Sequence, residues 1–146
     1  MRSLFDVNVL IALLDAGHVH HRLVTGWLDQ EILHGWASCP LTQNGCVRIM
    51  SQPAYPGALP AGEVAARLAE AAAHPSHQFW PADVNLLDAT TFQWAYILGH
   101  RQITDAYLLA LAIRWKGRFV TLDRRISSQA VTGCVQKHLH CITERA

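Results

Sequence analysis

Asp6, Asp105 and Asp123 are the residues whose type and placement suggest chemistry. Asp6 follows the short apolar run Ser3-Leu4-Phe5, which reads as a buried strand. Asp123 follows Phe119-Val120-Thr121-Leu122, a second run of that kind. Asp105 opens the helical stretch Thr104–Trp115, which Gly117 closes. In an open parallel sheet, ligands bind beyond the carboxyl ends of the strands. Asp6 and Asp123 would emerge there, and a helix start beside that edge would bring Asp105 to the same place. Three carboxylates in one cleft repel each other unless a cation sits among them. Hard oxygen ligands select Mg²⁺ or Mn²⁺. Such a site activates water and stabilises the charge that develops on a phosphodiester during in-line attack.

Each aspartate also has a purely structural reading. Asp6 can N-cap the helix that follows, with Asn8 assisting. Asp105 suits a helix start, where its charge favours the dipole. Asp123 can be a turn residue before Arg124-Arg125. Caps and turns, however, have no reason to gather at one sheet edge.

The elements that must position these groups alternate between strand and helix. Val9–Leu14 and Arg22–Leu33 have helical character, the latter with Leu23, Trp27, Leu28 and Ile32 on one side. Trp36–Cys39 reads as a strand, and Pro40 starts a helix running to about Ser51. The Pro- and Gly-bearing stretch 52–60 is a loop. Gly62–His74 and Ala89–Leu98 read as helices, Phe79-Trp80 as a short strand and Leu139–Thr143 as a last one. The alternation predicts an α/β fold with a mainly parallel sheet covered on both faces. The chain of 146 residues is expected to be a single domain, 1–146, long enough to bury its own core.

Composition bounds the rest. Twelve Lys and Arg against eleven Asp and Glu leave a formal charge of +1, which argues against a strong non-specific polyanion binder. It does not exclude a nuclease, because acidic metal ligands cancel a basic rim in the sum. Asp6 and Asp15 interrupt the apolar run near the N-terminus, so it does not read as a signal peptide. Cys39, Cys46, Cys134 and Cys141 form no C-x-x-C pair and are expected to be free thiols in a reducing cytoplasm. No stretch approaches the roughly 18 apolar residues of a membrane span.

Four segments together resemble the PIN domains of the VapC toxin family. Leu4-Phe5-Asp6-Val7-Asn8-Val9-Leu10-Ile11 resembles the first motif and Pro40-Leu41-Thr42-Gln43-Asn44-Gly45-Cys46-Val47-Arg48 the second. Ile103-Thr104-Asp105-Ala106-Tyr107-Leu108-Leu109-Ala110-Leu111-Ala112 resembles the third, and Val120-Thr121-Leu122-Asp123-Arg124-Arg125 the fourth. The resemblance implies a PIN-like three-layer α/β/α sandwich and a Mg²⁺- or Mn²⁺-dependent endoribonuclease, the toxin of a type II toxin–antitoxin system. It also implies a cognate VapB-type antitoxin, an RNA substrate and a homodimer that forms a heterotetramer or larger assembly with the antitoxin. By motif match, Asp6, Asp105 and Asp123 would be metal-binding, catalytic acids. Gln43 would join them where the motif often has glutamate, with one negative charge fewer. Asn8, Thr121 and Thr104 would orient the acids. Arg124, Arg125 and Arg101 are the candidates for RNA phosphates, with Arg124 and Arg125 placed best, directly after Asp123.

Other constellations are weaker. His18, His20 and His21 lack a second ligand pair, and Cys134 and Cys141 with His138 and His140 are not at a recognised zinc-finger spacing. Trp27, Trp80, Trp94 and Trp115 read as core or interface. The Ala- and Leu-rich stretches Gly62–His74 and Ala89–Leu98 are expected to form an apolar groove that takes an antitoxin helix. Two other functions remain open at this stage. A haloacid-dehalogenase-like phosphatase wants a second aspartate where Asn8 stands. A PIN-like RNA- or protein-binding module with a weakened site would be foreshadowed by Gln43.

Overall fold

The computed structural model describes residues 1–144; Arg145 and Ala146, the end of the expected 1–146 domain, lie outside it. Strand β1 (Ser3–Phe5) feeds α1 (Val7–Leu14) and α2 (His21–Glu31), and β2 (Trp36–Ser38) feeds α3 (Pro40–Met50) and α4 (Ala61–Ala72). Then follow β3 (His77–Phe79), α5 (His100–Arg114), β4 (Arg118–Thr121) and β5 (Leu139–Cys141). The five strands are parallel throughout, in the order β3-β2-β1-β4-β5. The chain starts at the centre, builds outward to β3, then returns to the other side of β1. The strand order therefore reverses between β1 and β4, which opens a crevice beyond their carboxyl ends.

Alternation along the short strands sorts the core into two layers. Leu4, Ala37 and Phe119 pack with α5, whereas Phe5, Trp36 and Val120 pack with α1 through α4. Helix α5 is buried over the continuous run Ala106–Ala112. A helix apolar on all sides needs cover on its outer face as well. Val84, Leu86, Ile97 and Ile126 supply it from the segments around 81–99 and after β4.

That covering role explains why Ala89–Leu98, expected as a helix, is not one. The segment holds a single 3₁₀ turn, Trp94–Tyr96, within an otherwise irregular path. Asn85 Oδ1 accepts from the Leu87 N–H, and Asp88 Oδ1 accepts from the Thr90 N–H and hydroxyl. Short polar side chains that bond nearby backbone compete with helical bonding. The groove expected between Gly62–His74 and Ala89–Leu98 therefore loses one of its two helices; α4 instead borders a different groove with α3, of about 510 Å³, with Pro40, Gln43, Val47, Ala65 and Leu68 among its lining residues. Helix α5 starts at His100 rather than Thr104, so Asp105 sits in its second turn and the helix-start reading of Asp105 falls.

Helices α1 and α3 approach closely at Gly45, where an added Cβ would stand 2.6 Å from Val7 Cγ2. Val7 follows Asp6 and Gly45 lies two residues after Gln43, so this contact fixes the first two motif segments against each other. Gly45→Val is expected to destabilise the fold by about 1–3 kcal/mol through overpacking. Val7→Ala in the same chain should recover part of that loss. Urea denaturation of the single and double variants checks the coupling, and simple additivity would refute it.

Candidate active site

Asp6 is both a cap and a member of the cleft. It N-caps α1, with Oδ1 accepting from the Val7 N–H at 2.7 Å. Its Oδ2 accepts from the Thr121 hydroxyl at 2.7 Å. Burial pushes the Asp6 carboxyl above the ordinary carboxylate range, these two hydrogen bonds pull against that, and the charge of Asp123 adds to the rise.

Thr121, the last residue of β4, is fully buried. While its hydroxyl donates to Asp6, its Oγ1 accepts from the Asp123 N–H at 3.0 Å and, at a longer 3.4 Å, from the Asn8 amide. Asn8 Oδ1 accepts from the Leu122 N–H at 3.2 Å. Asn8 thus ties the start of α1 to the β4 exit, where a phosphatase of the kind considered above would need a free acid.

Asp105 enters from α5 and is partly buried. Burial, then the charges of Asp6 and Asp123, push its carboxyl up to about 7, with Arg125 acting in the opposite direction. Asp123 lies two residues beyond β4, one further from the strand end than its sequence pattern suggests. Its Oδ1 accepts from the Arg125 N–H at 2.9 Å and from Arg125 Nε at 3.1 Å. Those hydrogen bonds hold the Asp123 carboxyl below its ordinary range. The turn reading of Asp123 and its place in the cleft are therefore compatible.

The three carboxylates are close enough to perturb one another, but they do not form a closed shell. Among the described residues, no three His, Cys, Asp or Glu side chains stand together at metal-binding spacing. Asp6 is engaged by Val7 and Thr121, and Asp123 by Arg125. The donor set still fits a hard divalent cation: it is all carboxylate, and the charges of Asp6 and Asp123 add to the burial that lifts Asp105 to about 7.

Other motif residues fall at different distances from this centre. Gln43 Nε2 donates to Ser38 Oγ at 3.0 Å, and Ser38 Oγ shares a 2.8 Å hydrogen bond with His77 Nε2. That bond uses one of the two amide hydrogens, and only Oε1 of Gln43 could meet a cation. Thr104 and Arg101 are exposed on α5, and Arg124 is exposed beyond β4. Among the tryptophans, Trp80 is core, whereas Trp94 is 45% exposed. Sequence reading passed over two residues: Ser38, the buried partner of Gln43, and Tyr96, which lines a crevice with Asp105. A small hydroxyl at a strand end, five residues before a motif glutamine, was the available signal for Ser38. Tyr96 was hidden inside a stretch with the composition of a helix.

The PIN domain family model matches residues 3–131. The chain is 46% identical over 139 residues to Ribonuclease VapC44 of Mycobacterium tuberculosis, covering 95% of this chain and 98% of that protein. It is 39% identical over 137 residues to Ribonuclease VapC39 of the same organism, covering 93% and 99%. Among solved structures, Mycobacterium tuberculosis VapC20, described as a sarcin–ricin loop cleaving toxin, superposes with a TM-score of 0.57 at 12% identity, covering 80% of this chain and 85% of that one. VapBC2 from Rickettsia felis, bound to a DNA fragment from its promoter, superposes with a TM-score of 0.56 at 11% identity, covering 84% and 89%. At such identities the superpositions establish the shared fold.

The crowding at Asp105 has a measurable cost. Its folded-state pKa of about 7 lies well above the 3.8 of an unperturbed aspartate. Its contribution to stability is therefore full below about pH 4 and is lost as pH rises through about 7. Asp105→Asn does not titrate, so without divalent metal it should melt close to wild type at pH 4. At pH 8 it should melt roughly 2–4 °C higher, a modest value because the side chain is only half-buried and screened by solvent. Melting curves in EDTA at the two pH values check this, and an unchanged difference between variant and wild type would refute it.

Proposed function

The chain belongs to the PIN-domain family and, within it, to the VapC ribonucleases, and from that membership we propose that it is a metal-dependent endoribonuclease acting as the toxin of a toxin–antitoxin pair. The observation that carries the reading is the Thr121 hydroxyl joining the Asp6 carboxylate to the turn of Asp123 beyond the ends of β1 and β4, with Asp105 near enough to feel the charge of both. PIN-domain ribonucleases depend in general on divalent metal. Mg²⁺, or Mn²⁺ in its place, is the cation proposed for this chain, held by the three aspartates. When bound, such a cation polarises a phosphodiester oxygen and lowers the pKa of water, so that hydrolysis proceeds at neutral pH.

The chain's own residues do the positioning. Thr121 and the Val7 N–H occupy one lone pair on each Asp6 oxygen, which fixes the plane of that carboxylate. Asn8 holds the Leu122 backbone, and with it the turn that carries Asp123. Asp105 stands on a rigid buried helix, so its charge cannot retreat from the other two. Ionised together they need a counter-charge, and an RNA phosphate alone would only add to the repulsion. Arg124, Arg125 and Arg101 are assigned to phosphates flanking the cut. Gln43 is assigned a supporting contact through Oε1 and Thr104 an orienting one. Hydrolysis by water breaks the P–O3′ bond and leaves a 3′-hydroxyl and a 5′-phosphate.

The family membership supports four further assignments: a VapB-type antitoxin partner, a homodimer, residues 1–146 acting as one domain, and a cytoplasmic site of action. Among the described residues, no helix is long and apolar enough to cross a membrane.

Purified protein incubated with total bacterial RNA should give discrete fragments with Mg²⁺ or Mn²⁺ and none with EDTA. Asp6→Ala and Asp105→Ala should each lower cleavage by about 100-fold or more, because each removes an anionic ligand from the assigned site. Full activity of both variants would refute the metal site, and RNA binding without any cleavage would favour a binding module instead.

A further inference from the structure

The wall of the cleft beside Asp105 carries aromatic surface that hydrolysis does not require. Tyr96 lines a crevice with Gln102, Asp105, Ile126 and Ser127. The residue is 44% exposed. The crevice beneath it has a volume of only about 10 Å³, far too small for a nucleobase. Anything recognised by Tyr96 must therefore lie against the outward side of its ring.

The segment that carries Tyr96 is braced rather than loose. The Gln93 N–H donates to the Ala130 carbonyl at 2.9 Å, and the Thr132 N–H donates to the Thr91 carbonyl at 2.9 Å. Between them Phe92 and Val131 form an antiparallel bridge. The Tyr96 N–H donates to the Gln93 carbonyl at 3.0 Å, closing the 3₁₀ turn. The ring thus stands on backbone clamped to the segment that runs on from Asp123. An aromatic held this way has little freedom to lose on binding.

Charge is arranged to match. Arg101 is exposed on the first turn of α5, and the Arg125 guanidinium is near enough to Asp105 to lower its pKa. An exposed aromatic and a guanidinium on either side of Asp105 suit an unpaired nucleotide, with the phosphate on the guanidinium and the base on the ring.

We propose that Tyr96 stacks an unpaired base adjacent to the scissile phosphate and so fixes how the RNA is seated across Asp105. The inference rests on the ribonuclease reading above. Tyr96 acts here as a substrate-binding residue. Trp94 is equally exposed but does not line the crevice with Asp105, which makes it an internal control.

The test uses an RNA stem-loop spanning a cleavage site mapped on total bacterial RNA. Tyr96→Ala should raise KM by about 10-fold, within the range for losing one base–aromatic stack, with kcat held within about twofold. Tyr96→Phe should restore KM, and Trp94→Ala should leave it unchanged. In EDTA, 2-aminopurine beside the cut should be quenched on binding to the wild type and to Tyr96→Phe, but not to Tyr96→Ala. Equal KM and equal quenching for Tyr96→Ala and wild type overturn the stacking role while wild-type cleavage keeps the ribonuclease reading intact. Absence of wild-type cleavage and binding overturns both. If Tyr96→Ala and Trp94→Ala leave RNA kinetics alone but change the sedimentation coefficient, the patch is a protein interface and the proposal fails.

Discussion

The hydroxyl of Thr121 joins two strands and two carboxylate-bearing segments at one buried point. A hydroxyl offers one donor and two acceptor positions, and here all three are used: toward Asp6, from the Asp123 N–H and, at longer range, from the Asn8 amide. Thr121 ends β4, and Asp6 follows β1, its parallel neighbour. The sheet register Phe5↔Val120 brings the two strand exits level, and the hydroxyl then converts that level into a fixed spacing between acidic groups. An apolar residue of similar shape would preserve the strand but leave Asp6 buried without its strongest partner.

The site is built against electrostatic preference. Burial and mutual charge raise Asp6 and Asp105, while Asp123 is held down by Arg125. Such crowding persists only where the surrounding fold over-determines the positions. Helix α5 supplies that rigidity, since Ala106–Ala112 is buried along its length directly after Asp105. Perturbed carboxylates clustered at a topological switch point are what a cation-assisted phosphodiester chemistry requires.

The segment 81–99 links packing to recognition. It is irregular because it must wrap the outer face of α5, and local bonds from Asn85 and Asp88 support that path. Tyr107 reinforces it by donating its hydroxyl to the Val84 carbonyl at 2.8 Å. The same wrapping delivers Tyr96 to the mouth of the cleft. A regular helix over these residues would have turned its apolar side chains inward and left that wall without an aromatic face.

By itself the sequence determined the succession of strands and helices apart from 89–98 and the parallel sheet, and it singled out the three aspartates proposed as the site. Those signals are local: apolar runs of strand length, Pro40 at a helix start, and carboxylates just after the runs. It also pointed to Asn8 and Thr121, through motif resemblance rather than through any periodicity. Tertiary structure alone decided that Asp105 belongs to the second turn of a longer helix and that Gln43 spends its amide on Ser38. It likewise decided that α4 shares its groove with α3, and that 89–98 is a covering segment rather than a helix. The physical reason is common to these cases. Each depends on what a residue meets across the fold, and composition within a short window carries no record of partners that are distant along the chain.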